Sequence, residues 1–258
     1  FYQAGRFAEA VECFREAGQS KSWRNLFNPL LLDAYKTFQY YELVLAEVES
    51  VAWQLFMGLS LECKDEIVTS ESHKVGIRHE ALVALCRAVL DDVEQTHDWA
   101  DDVSMGYALT DEALRHLTCG RAMLFLTLFG QSAFQSAQSE IDAALSSLRN
   151  ASFQVHLPHV LLTRAWFRFR SGARIGSDSA QTDLDEAWEI AERGPMKLFL
   201  ADIHLYRARL FFREPAYPWE SPQDDLAAAE KLINDCGYHR RDEELADAKR
   251  AILGRELE

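Results

Sequence analysis

The chain has 258 residues, 48 % of them apolar, and sets 27 Lys and Arg against 41 Asp and Glu for a net charge of −14. Its 12 Gly and 6 Pro are about 7 % of the residues where ordinary usage supplies roughly 12 %, too few turn residues for sandwiches, barrels or hairpin-rich sheets, so an all-α fold is expected. The acidic balance argues against nucleic acid or an anionic membrane as partner, because both require many phosphates to be met by Lys and Arg.

Five cysteines (Cys13, Cys63, Cys86, Cys119, Cys236) stand far apart with no CxxC pair, which reads as a reducing compartment. The longest apolar runs, such as 122–130, fall short of the roughly 20 residues that span a bilayer, and no charged-then-apolar leader opens the chain. A cytoplasmic location is therefore expected. Phe1 already sits inside a helical pattern, so the chain reads as a piece of a longer polypeptide.

The first stretch, AGRFAEAVECFREAG, places Gly5, Phe7, Ala10, Phe14 and Ala17 at helical spacing. Two further amphipathic helices are predicted over Leu43–Phe56 and Gly76–Val93, with breaks at KSWRNLFNP, KDEIVTSESHK and THDWADD, each polar or carrying a capping Ser, Thr or Asp. From Leu114 onward the chain repeats. Arg121-Ala122, Arg164-Ala165 and Arg207-Ala208 recur every 43 residues, and Ile141/Ala144, Leu184/Ala187 and Leu226/Ala229 recur at 43 and then 42. Two independent series on one period imply helical hairpins, with alanine wherever two antiparallel helices approach too closely for a larger side chain. The end, HRRDEELADAKRAILGRELE, opens a last helix at Asp242 with a sparse apolar stripe of Leu245, Ala248 and Ile252. That suits the capping helix which closes the open face of a repeat array.

These spacings resemble the tetratricopeptide repeat, a 34-residue hairpin with a small residue at position 8, Gly at 15, an aromatic at 17, Ala at 20, an aromatic at 24 and Ala at 27. Gly5 at position 15 puts Phe7, Ala10, Phe14 and Ala17 on 17, 20, 24 and 27 without gaps. Ala165 at position 8 puts Gly172 on 15, and Ala180, Leu184 and Ala187 then need three extra residues in RIGSDSA, with six more inserted before Ala208. The resemblance implies a right-handed α-α superhelical solenoid of elongated, about 43-residue hairpins. The expected layout is a partial repeat over 1–18, irregular helical repeats over 19–113, three elongated hairpins over 114–238 and a capping helix over 239–258. The wording of the last units (LPHVLLTRAWFRF, DEAWEIAERGPMKLFLADIHLYRARLFF) is similar to the C-terminal sensor repeats of bacterial STAND-type signalling NTPases, although no GxxxxGK[ST] occurs here. That similarity implies a sensing or protein-interaction segment of a larger signalling protein.

Repeats of this kind hold peptides on a concave face built from first-helix positions 2, 5, 9, 12 and 13. The resemblance then assigns partner contacts to His116, His159 and Asp202 (position 2), Met123, Trp166 and Arg209 (position 9), and Thr127, Arg170 and Arg213 (position 13). Positions 5 and 12 carry Cys119, Leu162, Leu205, Leu126, Phe169 and Phe212. Such a groove is apolar on one side and turns basic toward the C-terminal repeats, suiting an acidic peptide or a C-terminal carboxylate. Against it stands the plainer reading: Trp166, Phe169 and Phe212 as packing between repeats, Arg170 and Arg213 as solvated or paired groups, and Arg121, Arg164 and Arg207 as bridges between hairpins through carboxylates such as Asp142 and Asp185. His156 and His159 are three apart, but Pro158 favours the first turn of a helix and leaves His156 outside it, so no metal is expected. Without a nucleophile turn or a base at a recognisable offset, neither enzymatic activity nor a cofactor is expected.

Three functions remain: a peptide- or protein-binding module, a scaffold whose repeats restrain another part of the same polypeptide, and the effector-binding region of an ATP-dependent transcription activator. Arg170, Arg209 and Arg213 converging on an open groove favours the first. A groove filled by the chain itself, with those arginines paired, favours the second. A closed pocket lined by Trp166 favours the third.

Overall fold

Local signals set where the helices begin and end. Ser179 accepts a hydrogen bond from the Thr182 amide while the Thr182 hydroxyl accepts one from the Ser179 amide, a reciprocal cap that starts a helix. Ser221 does the same for the Asp224 amide, with Pro222 in the first turn and Asp224 and Asp225 favouring its positive end. Gly172 ends another helix at φ +92, a left-handed conformation that side chains disfavour.

The computed structural model describes residues 1–19, 33–59, 71–101, 109–151 and 154–254. Among them every regular element is helical: α1 (Phe7–Gln19), α2 (Asp33–Val44), α3 (Ala46–Met57), α4 (Glu71–Asp101), α5 (Leu109–Leu128), α6 (Phe134–Asn150), α7 (Leu157–Ser171), α8 (Ala180–Arg193), α9 (Lys197–Phe211), α10 (Pro222–Cys236) and α11 (Asp242–Leu253), with short 3-10 turns at Tyr2–Ala4, Gln154–His156 and His239–Arg241. No strand is present among the described residues.

α5/α6, α7/α8 and α9/α10 pair most extensively, and each second helix also packs on the next first helix, α6 on α7 and α8 on α9. Ala122, Ala165 and Ala208 on the first helices and Ala144, Ala187 and Ala229 on the second are all fully buried. At the first crossing even alanine is too large: a Cβ on Gly120 would lie 2.8 Å from Ile141 Cγ1, so glycine sets the α5–α6 distance. The six residues inserted between the second and third hairpins lie in helix, not loop, since only 194–196 separate α8 from α9. α11 packs on α10, α9 and α3, and its stripe of Leu245, Ala248 and Ile252 is buried.

Two boundaries differ from expectation. The helix expected over Leu43–Phe56 is divided at Leu45, which keeps a right-handed conformation and the hydrogen bonds on either side but separates α2 from α3. The break at THDWADD is absent through Asp101, because α4 continues across the polar run. KSWRNLFNP lies outside the described residues, and KDEIVTSESHK enters them only at Glu71, already helical.

Candidate interaction face

The first helices α5, α7 and α9 share one side of the hairpins, and the sequence places the partner contacts there. That side is not open. α2 packs on α5, and α3 packs on α5 and α11, so helices from earlier in the same chain lie on it.

At its centre the indoles of Trp53 (α3) and Trp166 (α7) stack with centroids 3.6 Å apart and planes 15° from parallel. The Arg209 guanidinium of α9 sits 3.9 Å from the Trp53 ring. Two flat groups cannot share one ring face at that distance, so Trp53 is sandwiched between Trp166 and Arg209. Tyr206 meets Trp53 edge-on at 4.9 Å, and Phe56 packs on Phe169 at 5.8 Å. Arg209 is fully buried, and its Nη1 donates to Glu244 of α11 at 2.6 Å.

Around the stack lies a buried ionic network. Arg121 (α5) pairs with Glu42 of α2 and, at 3.0 Å, with Glu49 of α3. Arg241 reaches Glu49 at 3.3 Å, donates to Asp202 at 2.7 Å and also pairs with Glu244. Arg240 donates to the hydroxyls of Tyr238 and Tyr2, and the Tyr2 hydroxyl donates to the Glu42 carbonyl. The network therefore balances four buried guanidiniums (Arg121, Arg209, Arg240, Arg241) against four buried carboxylates (Glu42, Glu49, Asp202, Glu244). Such a set persists away from water only if each charge finds its partner.

The protonation states fit this balance. Burial raises the Glu244 carboxyl, but Arg241 and Arg209 outweigh it and hold the group down at about 2. His159 is pushed well below its ordinary value, first by burial and then by Arg121 and Arg240. Its Nε2 lies 3.6 Å from Glu42, whose charge Arg121 already answers. The Phe38 ring of α2 lies edge-on to both His156 and His159, with centroids 5.6 Å away. Burial pushes the Cys119 thiol up to about 12, so that sulfur is not nucleophilic at neutral pH.

The nine expected partner contacts divide accordingly. Asp202, Trp166 and Arg209 are buried, His159 is half-buried, and all four meet this chain's own residues, which corrects the expectation of a free groove at those positions. Burying them under α2–α3 and α11 removes more apolar surface from water than an open groove would. His116 is engaged within its own hairpin, 2.7 Å from Glu140. The Thr127 hydroxyl donates back to the Met123 carbonyl of its own helix, and Met123 is half-buried against the core. Arg170 and Arg213 stay exposed at the rim, where Arg213 donates to the Met57 carbonyl at the end of α3.

The three repeated arginines diverge as well. Arg207 bridges hairpins as expected, reaching Asp185 at 3.3 Å between the rings of Trp188 and Trp219. Arg164 instead binds Asp183 at 2.6 Å within its own hairpin, and Arg121 turns to Glu42 and Glu49, not to Asp142. Arg121 faces α2–α3, whose Glu42 and Glu49 answer it.

Sequence reasoning missed Glu42, Glu49, Trp53, Arg240 and Arg241. One signal was available. Glu49 shares a helical face with Leu45, Ala52, Trp53 and Phe56, and a carboxylate in an apolar stripe needs a buried cation. Among the described residues no three His, Cys, Asp or Glu gather closely enough to hold a metal ion, and no helix is long and apolar enough to cross a membrane. No protein-family model matches the chain, and no curated protein or solved structure does.

Proposed function

We propose that this chain is a tetratricopeptide-like α-solenoid segment acting as a non-catalytic scaffold, whose inner face grips α2–α3 of the same polypeptide and so fixes the parts of a larger signalling protein relative to one another. The supporting observation is the sandwich of Trp53 between Trp166 and Arg209, ringed by the ion pairs of Arg121, Arg209 and Arg241 with Glu42, Glu49, Asp202 and Glu244. A groove kept for a passing peptide leaves such groups in water, where they cost nothing to hold. The small-effector reading has less behind it, because the rings of Trp53, Tyr206, Phe125 and Phe56 already pack around Trp166.

A second reading, capture of an acidic partner peptide, keeps one observation in its favour: Arg170 and Arg213 remain exposed. The two are separable by experiment. In the scaffold reading the amides of 46–57 exchange slowly in the intact chain and quickly in Trp166→Ala, while Arg170→Glu with Arg213→Glu leaves partner capture from an extract unchanged. Loss of capture in that double variant, with α3 unprotected in the parent chain, reverses the order of the two readings.

A further inference from the structure

The grip on α2–α3 is made of parts that another helix can offer. Without α2–α3, the face carries Arg121, Arg209, Arg240 and Arg241 against Asp202 and Glu244, with the buried Asp247 answered by Arg250, an excess of two positive charges inside a chain of net charge −14. Glu42 and Glu49 supply the missing two. The contacts follow a spacing: Phe38 against the two histidines, Glu42 on Arg121, Glu49 on Arg121 and Arg241, Trp53 in the Trp166–Arg209 slot. Offsets of four residues on α2, seven across the division at Leu45 and four on α3 bring an aromatic, two acids and an aromatic to one side of the α2–α3 segment. The receiving face is also built without them, since α5 to α11 pack on each other in succession.

We infer that this face is a receptor for an acidic amphipathic helical segment of a partner protein carrying aromatic-x3-Glu-x6-Glu-x3-Trp and divided as α2–α3 is, and that α2–α3 is its resident competitor. The inference rests on the scaffold reading and adds to it the class of partner admitted on displacement. Charge complementarity selects the helix, and the buried Trp slot anchors it, as aromatic anchors in desolvated pockets commonly do. The resident acts as a tethered ligand, present at an effective concentration on the order of millimolar, so an external helix gains access when the resident is weakened.

The test adds a fluorescent peptide of residues 33–59 to the 258-residue chain and to its Glu42→Gln/Glu49→Gln variant, chosen to keep side-chain shape. The variant should bind the peptide saturably and at least tenfold more tightly than the parent chain. Peptides carrying Glu42→Gln/Glu49→Gln or Trp53→Ala should lose at least tenfold. Absence of saturable binding by a variant that keeps its helicity and cooperative melting overturns the inference, as does equal binding of the unsubstituted and substituted peptides. Should the variant not fold, the parent chain is irradiated with a peptide bearing a photoreactive group in place of Trp53: cross-links to 166 or 209 support the receptor, and none at millimolar peptide overturns it. A parent chain that is a dimer and dissociates on peptide addition assigns the face to a second copy instead, against the inference. Slow amide exchange over 46–57 without peptide capture defeats the receptor alone, whereas fast exchange there defeats the scaffold reading beneath it.

Discussion

α1 and α3 are both short amphipathic helices from the first quarter of the chain, and their fates are opposite. α1 matches the repeat pattern without a gap, yet among its described side chains only Ala10 is buried, while Phe7 and Val11 remain 39 % and 54 % exposed. α3 fits no repeat register, yet Val48, Glu49, Val51, Ala52, Trp53 and Met57 are all buried. A residue pattern describes which face of a helix is sticky. What covers that face is decided by distant complementary groups, and α3 has them.

The sharpest test of that difference is Arg241→Ala. This guanidinium answers Glu49, Asp202 and Glu244 together, so its loss leaves the buried Asp202 with no cation while Glu49 keeps Arg121 and Glu244 keeps Arg209, at a cost of about 3–5 kcal/mol. Denaturant unfolding should show the loss, with amide protection disappearing over 46–57 before the hairpins open. A change below about 1 kcal/mol would mean that the network is wet and α3 is held by apolar packing alone.

Next in size is Ala52→Leu, which adds three carbons to the fully packed side of α3 and should cost about 1–3 kcal/mol. Tolerance of leucine at 52, seen as an unchanged melting temperature, would indicate that α3 lies on the hairpins more loosely than the Trp53–Trp166 stack requires.

These two substitutions also mark what the sequence makes legible. The hairpin alanines can be read because every crossing imposes the same steric demand, so the demand repeats: 122, 165 and 208 are equivalent places. The site cannot be read that way because its pairs occur once and span long distances. The Arg121–Glu49 bond links residues 72 apart and the Gln54–Asp247 bond residues 193 apart, with no period to expose either. Trp166 and Arg209 fall on the expected face, but the register alone carries no information about an occupant.

A smaller effect should appear in acid. His159 and His156 are both held below their ordinary 6.5 by burial, with nearby guanidiniums adding to it at His159. They stay neutral in the folded chain where the unfolded chain takes up protons, so stability is complete above pH 6.5 and declines beneath it by up to about 1.4 kcal/mol per proton per pH unit. Glu244 behaves separately: its carboxyl, ordinarily near 4.5, is held at about 2, so its contribution is present above 4.5 and is lost as the pH falls toward 2. Melting temperature should hold level from pH 8 to 7, drop below 6.5 and drop again below 4.5. His159→Gln should shallow the first decline alone. An identical decline in that variant would remove His159 from the account.

The smallest effect belongs to α1. Phe7→Ser with Val11→Ser removes apolar groups that water already reaches, so the change should lie within about 0.5 kcal/mol, and amide protection in α3 should not move. A loss of 2 kcal/mol or more would place α1 among the buried elements and dissolve the contrast with α3, since exposure would no longer distinguish the helix with distant partners from the one that only carries the pattern. Serine is the better probe than alanine here. It lowers helix propensity by no more than a few tenths of a kcal/mol while making any hidden apolar contact at 7 or 11 costly to keep.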